Sequence, residues 1–279
     1  MSKKYLILAK PGIILGNIIT TAGGFALASK GHFNWLLFLE TLLGLSLVIA
    51  SACVFNNYID RLADQMMART KNRPLATGSV RLVNAIGYGV VLGVLGTAVL
   101  MYFTNALTVG AALFGFIVYV LIYSPLKHKT VYGTLIGSIA GAAPPIVGYL
   151  AAANRFDGGA LLLYLVLVFW QMPHFYAIAM YLHKDYAAAS IPVLPLVSGN
   201  HITKIHMFFY ILAFFIPALL LTLYGYTGTA FLTVVLALSL MWLKISLEGF
   251  KAENDSRWAR RMFRFSLVVI TLFSAMIAI

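Results

Sequence analysis

Residues 36–64 read LLFLETLLGLSLVIASACVFNNYIDRLAD, an apolar run of membrane-spanning length that ends in asparagines and aspartates. A helix needs about 20 apolar residues to cross the hydrocarbon core of a bilayer. Polar side chains directly after such a run are predicted to lie at the membrane surface or against a wet cavity. This stretch therefore predicts a transmembrane helix that carries a polar site at one end.

The composition of the whole chain is that of a membrane protein. Of its 279 residues, 61% are hydrophobic and only 10% are charged, and the mean hydropathy is +0.91. A soluble domain of this size needs more charge to cover its surface. The apolar runs predict one all-α integral membrane domain over residues 1–279, with about nine transmembrane helices. These spans are predicted at residues 11–29, 36–57, 82–103, 106–124, 132–152, 159–182, 205–225, 228–247 and 262–279.

The distribution of basic residues predicts the topology. The net charge is +12, and all but two of the 20 lysines and arginines fall in alternate connectors, on one side of the membrane. The exceptions are Lys30 and Arg155. Because cytoplasmic loops are enriched in Lys and Arg, this places the N-terminus in the cytoplasm and the C-terminus outside. The charge thus indicates topology, and no nucleic-acid partner is expected.

The sequence predicts neither a cleaved targeting segment nor a disulfide bond. We expect no cleaved signal peptide, because Lys10-Pro11 interrupts the N-terminal apolar segment, and no transit segment. Cys53 is the only cysteine, which excludes an internal disulfide, and it is expected to pack as a small residue in a helix. A bacterial cytoplasmic (inner) membrane is the predicted location.

The acidic segment after the second predicted span has the pattern of a metal and phosphate site. At about 100° per residue, Asn57, Asp60 and Asp64 fall within about 60° of one another on a helix. Oxygen ligands of this kind suit Mg²⁺, which takes one or two carboxylates and adds phosphate oxygens and water. The alternative is a solvated helix end with ordinary ion pairs, but only eight acidic residues occur in the chain. Basic side chains that suit a diphosphate follow at Arg61, Arg69, Lys71 and Arg73.

This region also resembles a known family. Asn56 to Asp64, followed by Thr70-Lys71-Asn72-Arg73-Pro74-Leu75, is similar to the first signature of the UbiA superfamily of intramembrane prenyltransferases. Within it, the chain looks like the branch that farnesylates heme. The resemblance implies nine transmembrane helices around a central lateral cavity, with Asp-containing loops on the cytoplasmic side.

The segment after the sixth predicted span resembles the same branch. Lys184-Asp185-Tyr186-Ala187-Ala188-Ala189 has alanine where most UbiA-like enzymes have a second aspartate, but it matches the heme branch, as does Ile191-Pro192-Val193-Leu194-Pro195. The resemblance implies that Asp185 is a metal ligand and that Lys184 compensates diphosphate charge; the alternative is an ordinary Lys/Asp pair at a helix end. It also implies diphosphate contacts from Tyr123, Lys127 and Tyr181, although the loop after the fourth span could serve topology alone.

A polar stripe is predicted inside the sixth span. Gln171, His174, Tyr181 and Asp185 share one helical face, and polar residues at membrane depth normally face the protein interior or a wet cavity. Trp170, Gln171 and His174 belong to a segment that also resembles the heme branch and are the predicted heme contacts. For His174 two roles stay open: a hydrogen bond across helices or axial ligation of the heme iron.

The resemblance implies a complete reaction. Mg²⁺ held by Asn57, Asp60, Asp64 and Asp185 would bind farnesyl diphosphate on the cytoplasmic side, and the farnesyl group would pass to a vinyl group of heme B with addition of water, giving heme O. Expected partners are these two substrates, the bilayer and a downstream heme-modifying membrane enzyme. One alternative is a prenyltransferase for an aromatic acid or quinone precursor, which Ala189 disfavours. A polytopic transporter is a more distant alternative. Transporters place charged sites near the membrane midplane, whereas the acidic segments of this chain follow the ends of predicted spans.

Overall fold

The computed structural model describes residues 3–278, which form helices and loops with no β-strand among them. This confirms the all-α prediction for the described range. The helices are α1 (Lys3–Ala9), α2 (Pro11–Ser29), α3 (Trp35–Met66), α4 (Leu82–Phe103), α5 (Ala106–Leu126), α6 (Gly133–Gly141), α7 (Ala143–Ala153), α8 (Gly158–Tyr181), α9 (His183–Ala188), α10 (Leu194–Val197), α11 (Gly199–Leu223), α12 (Thr229–Glu248) and α13 (Asp255–Met276).

Eight spans in the described range are long and apolar enough to cross a membrane. They are α2, α3, α4, α5, α6 with α7, α8, α11 and α12, and they match the first eight predicted spans to within a few residues except where α3 and α11 extend further on one side. The ninth predicted span, residues 262–279, largely coincides with α13, which begins at Asp255 and carries four arginines. Residues 1, 2 and 279 lie outside the described part of the chain.

Helix α3 extends past its apolar run and carries the acidic motif in helical register. Its N-terminus is capped by Asn34, whose side-chain oxygen accepts a hydrogen bond from Leu37 N at 3.1 Å. The helix continues to Met66, so Asp60 and Asp64 lie about 6 Å apart along its axis. Both side chains are buried within the bundle.

Helices α2 and α7 pack closely because of two glycines. A Cβ at Gly24 would collide with Pro145 O, and one at Gly148 would collide with Thr21 O. Small residues allow helix backbones to approach in this way inside a membrane. The pair forms one wall of the cavity described below, while the main apolar core lies among α7, α8, α11, α12 and α13.

Candidate active site

A cavity of about 710 Å³ penetrates the bundle between α2, α3, α5, α6, α7, α8 and α13. One end is polar and carries charged side chains, and the remainder is lined mainly by aliphatic and aromatic residues. The polar end is lined by Lys10, Asn56, Asp60, Asp64, Arg69, Arg73, Lys127 and His128. An amphiphile with an anionic head and an apolar tail matches this division.

Asp60 accepts hydrogen bonds from two side chains of the loop after α5. Lys127 Nζ donates to Asp60 Oδ2 at 2.5 Å, and His128 Nε2 lies 3.0 Å from Asp60 Oδ1. The Asp60 side chain is 8% exposed. The pairing draws the α5 end onto α3, which is why two residues so distant in sequence face the same space.

Asp64 is held by the loop that follows its own helix. Arg73 Nη1 donates to both carboxylate oxygens, at 3.0 Å and 2.9 Å. Thr70 Oγ1 donates to the backbone carbonyl of Asp64 at 3.1 Å. These bonds fold residues 67–81 back over the end of α3 and bring Arg69 and Arg73 to the cavity.

Lys10 enters the site from the junction of α1 and α2. Its backbone is left-handed, with φ of 53°, which breaks the helix directly before Pro11 and costs free energy in a non-glycine residue. Its Nζ donates to Asn56 Oδ1 at 2.6 Å, and Asn56 Nδ2 donates to Ser124 Oγ at 2.9 Å. Burial lowers the pKa of the Lys10 ammonium to about 8.

The polar end fits a metal-bridged diphosphate. Four cationic side chains face two carboxylates there, so the lining carries net positive charge toward a polyanion. The described residues contain no group of three or more His, Cys, Asp or Glu that could hold a metal alone. Mg²⁺ usually takes one or two carboxylates and completes its shell with phosphate oxygens and water. Asp60 and Asp64, with the Asn56 amide oxygen, fit that requirement.

Glycines of α6 make room for the α5 side chains. Residues Val118–Tyr123 of α5 form a π-helical turn, a feature frequent at functional sites. The rings of Tyr119 and Tyr123 stack with centroids 5.3 Å apart, and both line the cavity. A Cβ at Gly137 would approach the Tyr123 ring to 2.8 Å, and one at Gly133 would approach Lys127 Cα to 2.9 Å.

The wall formed by α8 and α13 carries the predicted heme contacts. Trp170 Nε1 donates to Ser266 O at 2.9 Å, and His174 Nδ1 lies 2.7 Å from Ser266 Oγ. The Trp170 and His174 rings stack at 4.8 Å. Gln171 Nε2 donates to the carbonyls of Ser138 and Leu167. Trp170, Gln171 and His174 all line the cavity.

The structure places three of the predicted residues between Asn57 and Lys71 outside the cavity lining. Asn57 does not line the cavity; its Nδ2 donates to the carbonyls of Leu8 and Cys53 and fixes α1 against α3. Asn56 takes its place in the lining. Arg61 turns the other way, donates to Tyr58 O and lies over the Tyr58 ring at 4.6 Å. Lys71 is exposed and lies outside the lining.

The predicted site residues at the end of α8 and in α9 lie outside the cavity lining. Tyr181, Lys184 and Asp185 do not line the cavity; Lys184 is exposed, and Asp185 Oδ1 accepts a hydrogen bond from Ala68 N at 3.0 Å. This hydrogen bond joins the loop after α3 to α9. The neighbouring Tyr186 does line the cavity, and burial raises its pKa to about 12, which keeps its hydroxyl a donor.

Lys10, Asn56, His128 and Tyr186 are site residues that the sequence interpretation missed. The sequence indicates topology and an interruption of the N-terminal apolar segment at Lys10-Pro11, but no contact of Lys10 with the site. Asn56 precedes the predicted ligand Asn57 by one residue, and a helical wheel does not show which of the two amides faces the cavity. His128 and Tyr186 adjoin predicted residues, but nothing in their spacing distinguishes them.

Comparison with known proteins identifies the family. A model described as the UbiA prenyltransferase family matches residues 17–268. The chain belongs to the UbiA prenyltransferase family. A match of this extent covers both acidic segments and most of the cavity lining, although Lys10 lies outside it.

Relatives within this family are similar over the full chain. A protein of Protochlamydia amoebophila named protoheme IX farnesyltransferase is 52% identical over 274 residues, which is 98% of this chain and 97% of that protein. A protein of Yersinia pseudotuberculosis with the same name is 53% identical over 280 residues, covering 100% of this chain and 95% of that protein.

Solved structures of UbiA proteins share the fold. The structure of digeranylgeranylglyceryl phosphate synthase superposes with a TM-score of 0.81 at 17% identity, covering 99% of this chain and 96% of that one. A UbiA homolog from Archaeoglobus fulgidus bound to GPP and Mg²⁺ gives 0.72 at 16% identity, covering 99% of this chain and 100% of that one. At these identities the likeness concerns the helical architecture.

Proposed function

We propose that this UbiA-family enzyme transfers the farnesyl group of farnesyl diphosphate to a vinyl group of heme B, with addition of water, to give heme O. Relatives more than half identical over the full chain carry the name protoheme IX farnesyltransferase. The observation that carries the proposal is one cavity with two chemistries: a cationic, carboxylate-bearing end and an apolar body with His174 in its wall.

The polar end binds the diphosphate. Arg73 and Lys127 already form ion pairs with Asp64 and Asp60, so they are placed to exchange a carboxylate for a phosphate oxygen when substrate and metal enter. Arg69 and Lys10 supply further positive charge. Asp60, Asp64 and Asn56 would hold Mg²⁺, which when bound neutralises charge on the departing diphosphate.

The polar end favours ionisation, and the apolar body protects the cation until transfer. The allylic C–O bond of farnesyl diphosphate breaks, and diphosphate leaves with the electron pair toward the cations at the polar end. Tyr119 and the apolar lining exclude water from the farnesyl cation. The terminal vinyl carbon of heme then bonds to farnesyl C1, and the resulting cation next to the ring takes a water molecule, which releases a proton.

His174 orients the heme in this proposal. Its Nδ1 faces Ser266 Oγ, which leaves Nε2 as the ring nitrogen available to iron. Trp170 stacks on the same imidazole and fixes its plane. We expect neutral His174 to ligate the heme iron, as imidazoles commonly do.

We also infer how the chain sits in its membrane. With α13 as a ninth span, the N-terminus and the polar end of the cavity face the cytoplasm and the C-terminus lies outside. The concentration of Lys and Arg around the polar end supports this orientation under the positive-inside rule. A bacterial cytoplasmic membrane supplies both substrates from that side, and a downstream heme-modifying membrane enzyme would take the product.

An acceptor comparison tests the function. Purified enzyme in detergent, with Mg²⁺ and farnesyl diphosphate, is given heme B or an aromatic acid, and products are separated and identified by mass spectrometry. We expect a farnesylated heme and no farnesylated aromatic acid. Asp60→Asn should lower product formation by about 10²–10³, whereas Glu253→Gln, at an exposed carboxylate without an ion pair in the described range, should not. Turnover of the aromatic acid alone would overturn the proposal.

A further inference from the structure

The first half of α13 carries four arginines that the reaction above does not use. They are Arg257, Arg260, Arg261 and Arg264, and all four are exposed. Arg261 pairs with Glu248 at 2.5 Å. Within residues 3–278, the other three form no salt bridge. Unpaired arginines on one helix are available to an anionic ligand.

The arginines of α13 differ in their angular position around the helix relative to the face that lines the cavity. The lining residues Phe263, Leu267 and Ile270 occupy one sector of α13. Measured from Phe263 at about 100° per residue, Leu267 lies at about 40°, Arg260 at about 60°, Arg264 at about 100° and Arg261 at about 160°. Arg260 and Arg264 therefore border the cavity face, and Arg261 lies on the far side.

A chain of aromatic contacts connects Arg260 with His174. The Arg260 guanidinium lies over the Tyr181 ring at 5.7 Å, and Tyr181 lies 5.7 Å from Phe263. Phe263 in turn lies 5.0 Å from His174. Tyr181 follows His174 by seven residues, about 10 Å along α8. A planar ligand centred at His174 thus has the cation at its outer edge.

We propose that Arg260, together with Arg264, binds the propionate carboxylates of heme and so sets which edge of the porphyrin enters the cavity. This inference rests on the proposed function. Heme B carries two propionates on one edge and its vinyl groups away from that edge. The guanidinium fork matches a carboxylate in geometry and charge, and a carboxylate avoids an apolar interior unless it is paired. With the propionates at the rim, a vinyl group points inward toward the farnesyl chain.

Substitutions on α13 supply matched variants for a test. Arg260→Gln and Arg264→Gln, singly and together, remove charge from an exposed helix face, and Arg261→Gln is the control on the same helix. Binding of heme B and of its dimethyl ester, which lacks both carboxylate charges, is measured by absorption titration in zwitterionic lipid nanodiscs. We expect the double variant to weaken heme B binding about tenfold, with less than about a twofold effect on the ester. Arg261→Gln and the KM for farnesyl diphosphate should change little.

The outcomes separate this inference from the proposed function. Equal weakening of both heme forms, or none of either, would show that the arginines do not bind propionates. An effect that requires anionic lipid and ignores esterification would assign them to lipid headgroups instead and would equally overturn the inference. Because wild-type product formation from heme B is measured independently, its failure would refute the function, whereas turnover with insensitive Arg variants refutes only the propionate contact.

Discussion

Replacing Asp60 by asparagine removes the negative charge and one of the two acceptor oxygens at the centre of the polar end while preserving the shape of the side chain. Asp60 accepts from Lys127 Nζ at 2.5 Å and pairs with His128 Nε2 at 3.0 Å. The side chains of Asp60 and Lys127 are 8% and 16% exposed. The substitution therefore leaves a largely buried ammonium without its counter-charge, next to the neutral asparagine amide and the Tyr123 ring, whose centroid lies 5.2 Å from Lys127 Nζ.

The expected magnitude follows from that burial. Removing one partner of a buried ion pair costs about 3–5 kcal/mol, and the partial exposure of Lys127 places this pair near the lower value. We expect a loss of about 3 kcal/mol, which for a chain of this size lowers the melting temperature by about 5 °C. Product formation should fall more steeply, by about 10²–10³, because a charge that acts on the departing group is lost.

A double-mutant cycle measures the pair itself. Asp60→Asn, Lys127→Met and the double variant are compared by thermal unfolding in detergent, with Glu253→Gln as the control. The double variant should recover part of the stability lost by Asp60→Asn, with a coupling energy of about 1–3 kcal/mol. Additive losses, with coupling below about 0.5 kcal/mol, would refute the assignment of Asp60 and Lys127 as one ion pair.

Three further outcomes follow from the geometry. The KM for farnesyl diphosphate should rise as pH increases through about 8, where Lys10 loses its proton; Lys10→Arg should remove that dependence, and a dependence retained in the variant would contradict this role. Gly141→Ala places a Cβ against Gln171 Oε1 and should weaken heme binding by about tenfold while leaving the farnesyl diphosphate KM unchanged; equal effects on both would refute a local displacement. His174→Ala should change the absorption spectrum of bound heme B, whereas Ser266→Ala should shift it only slightly; an unchanged spectrum in the first variant would exclude iron ligation.

The fold was predictable because its signals are strong and local. Apolar runs and alternating basic connectors predicted the first eight spans, and α3 continues in helical register through Asp60 and Asp64. The beginning of α13 was harder to predict. The helix begins at Asp255, but its first half carries the arginines from Arg257 to Arg264 and does not look like a membrane span. Its apolar second half alone gave the predicted boundary.

The site was only partly predictable because side-chain direction is set by tertiary packing. A helical wheel places Asn56 and Asn57 about 100° apart, but it does not show which amide faces the cavity. That depends on the position of α1, where Leu8 O accepts a hydrogen bond from Asn57 Nδ2. Likewise, Asp185 Oδ1 accepts a hydrogen bond from Ala68 N, a contact that depends on how the two loops pack. Conversely, Lys10 reaches the site through a left-handed backbone that no periodicity indicates.

Isotopic tracing tests the central claim most directly. Farnesyl diphosphate labelled in its farnesyl chain is incubated with heme B, Mg²⁺ and the purified enzyme in water labelled with heavy oxygen, and the extracted hemes are analysed by mass spectrometry. The account predicts one product whose mass equals heme B plus a labelled farnesyl group and one hydroxyl that carries the heavy oxygen, and about 10²–10³ less of it with Asp60→Asn. Label found only in free farnesol or in another acceptor, with heme B recovered unchanged, would contradict it.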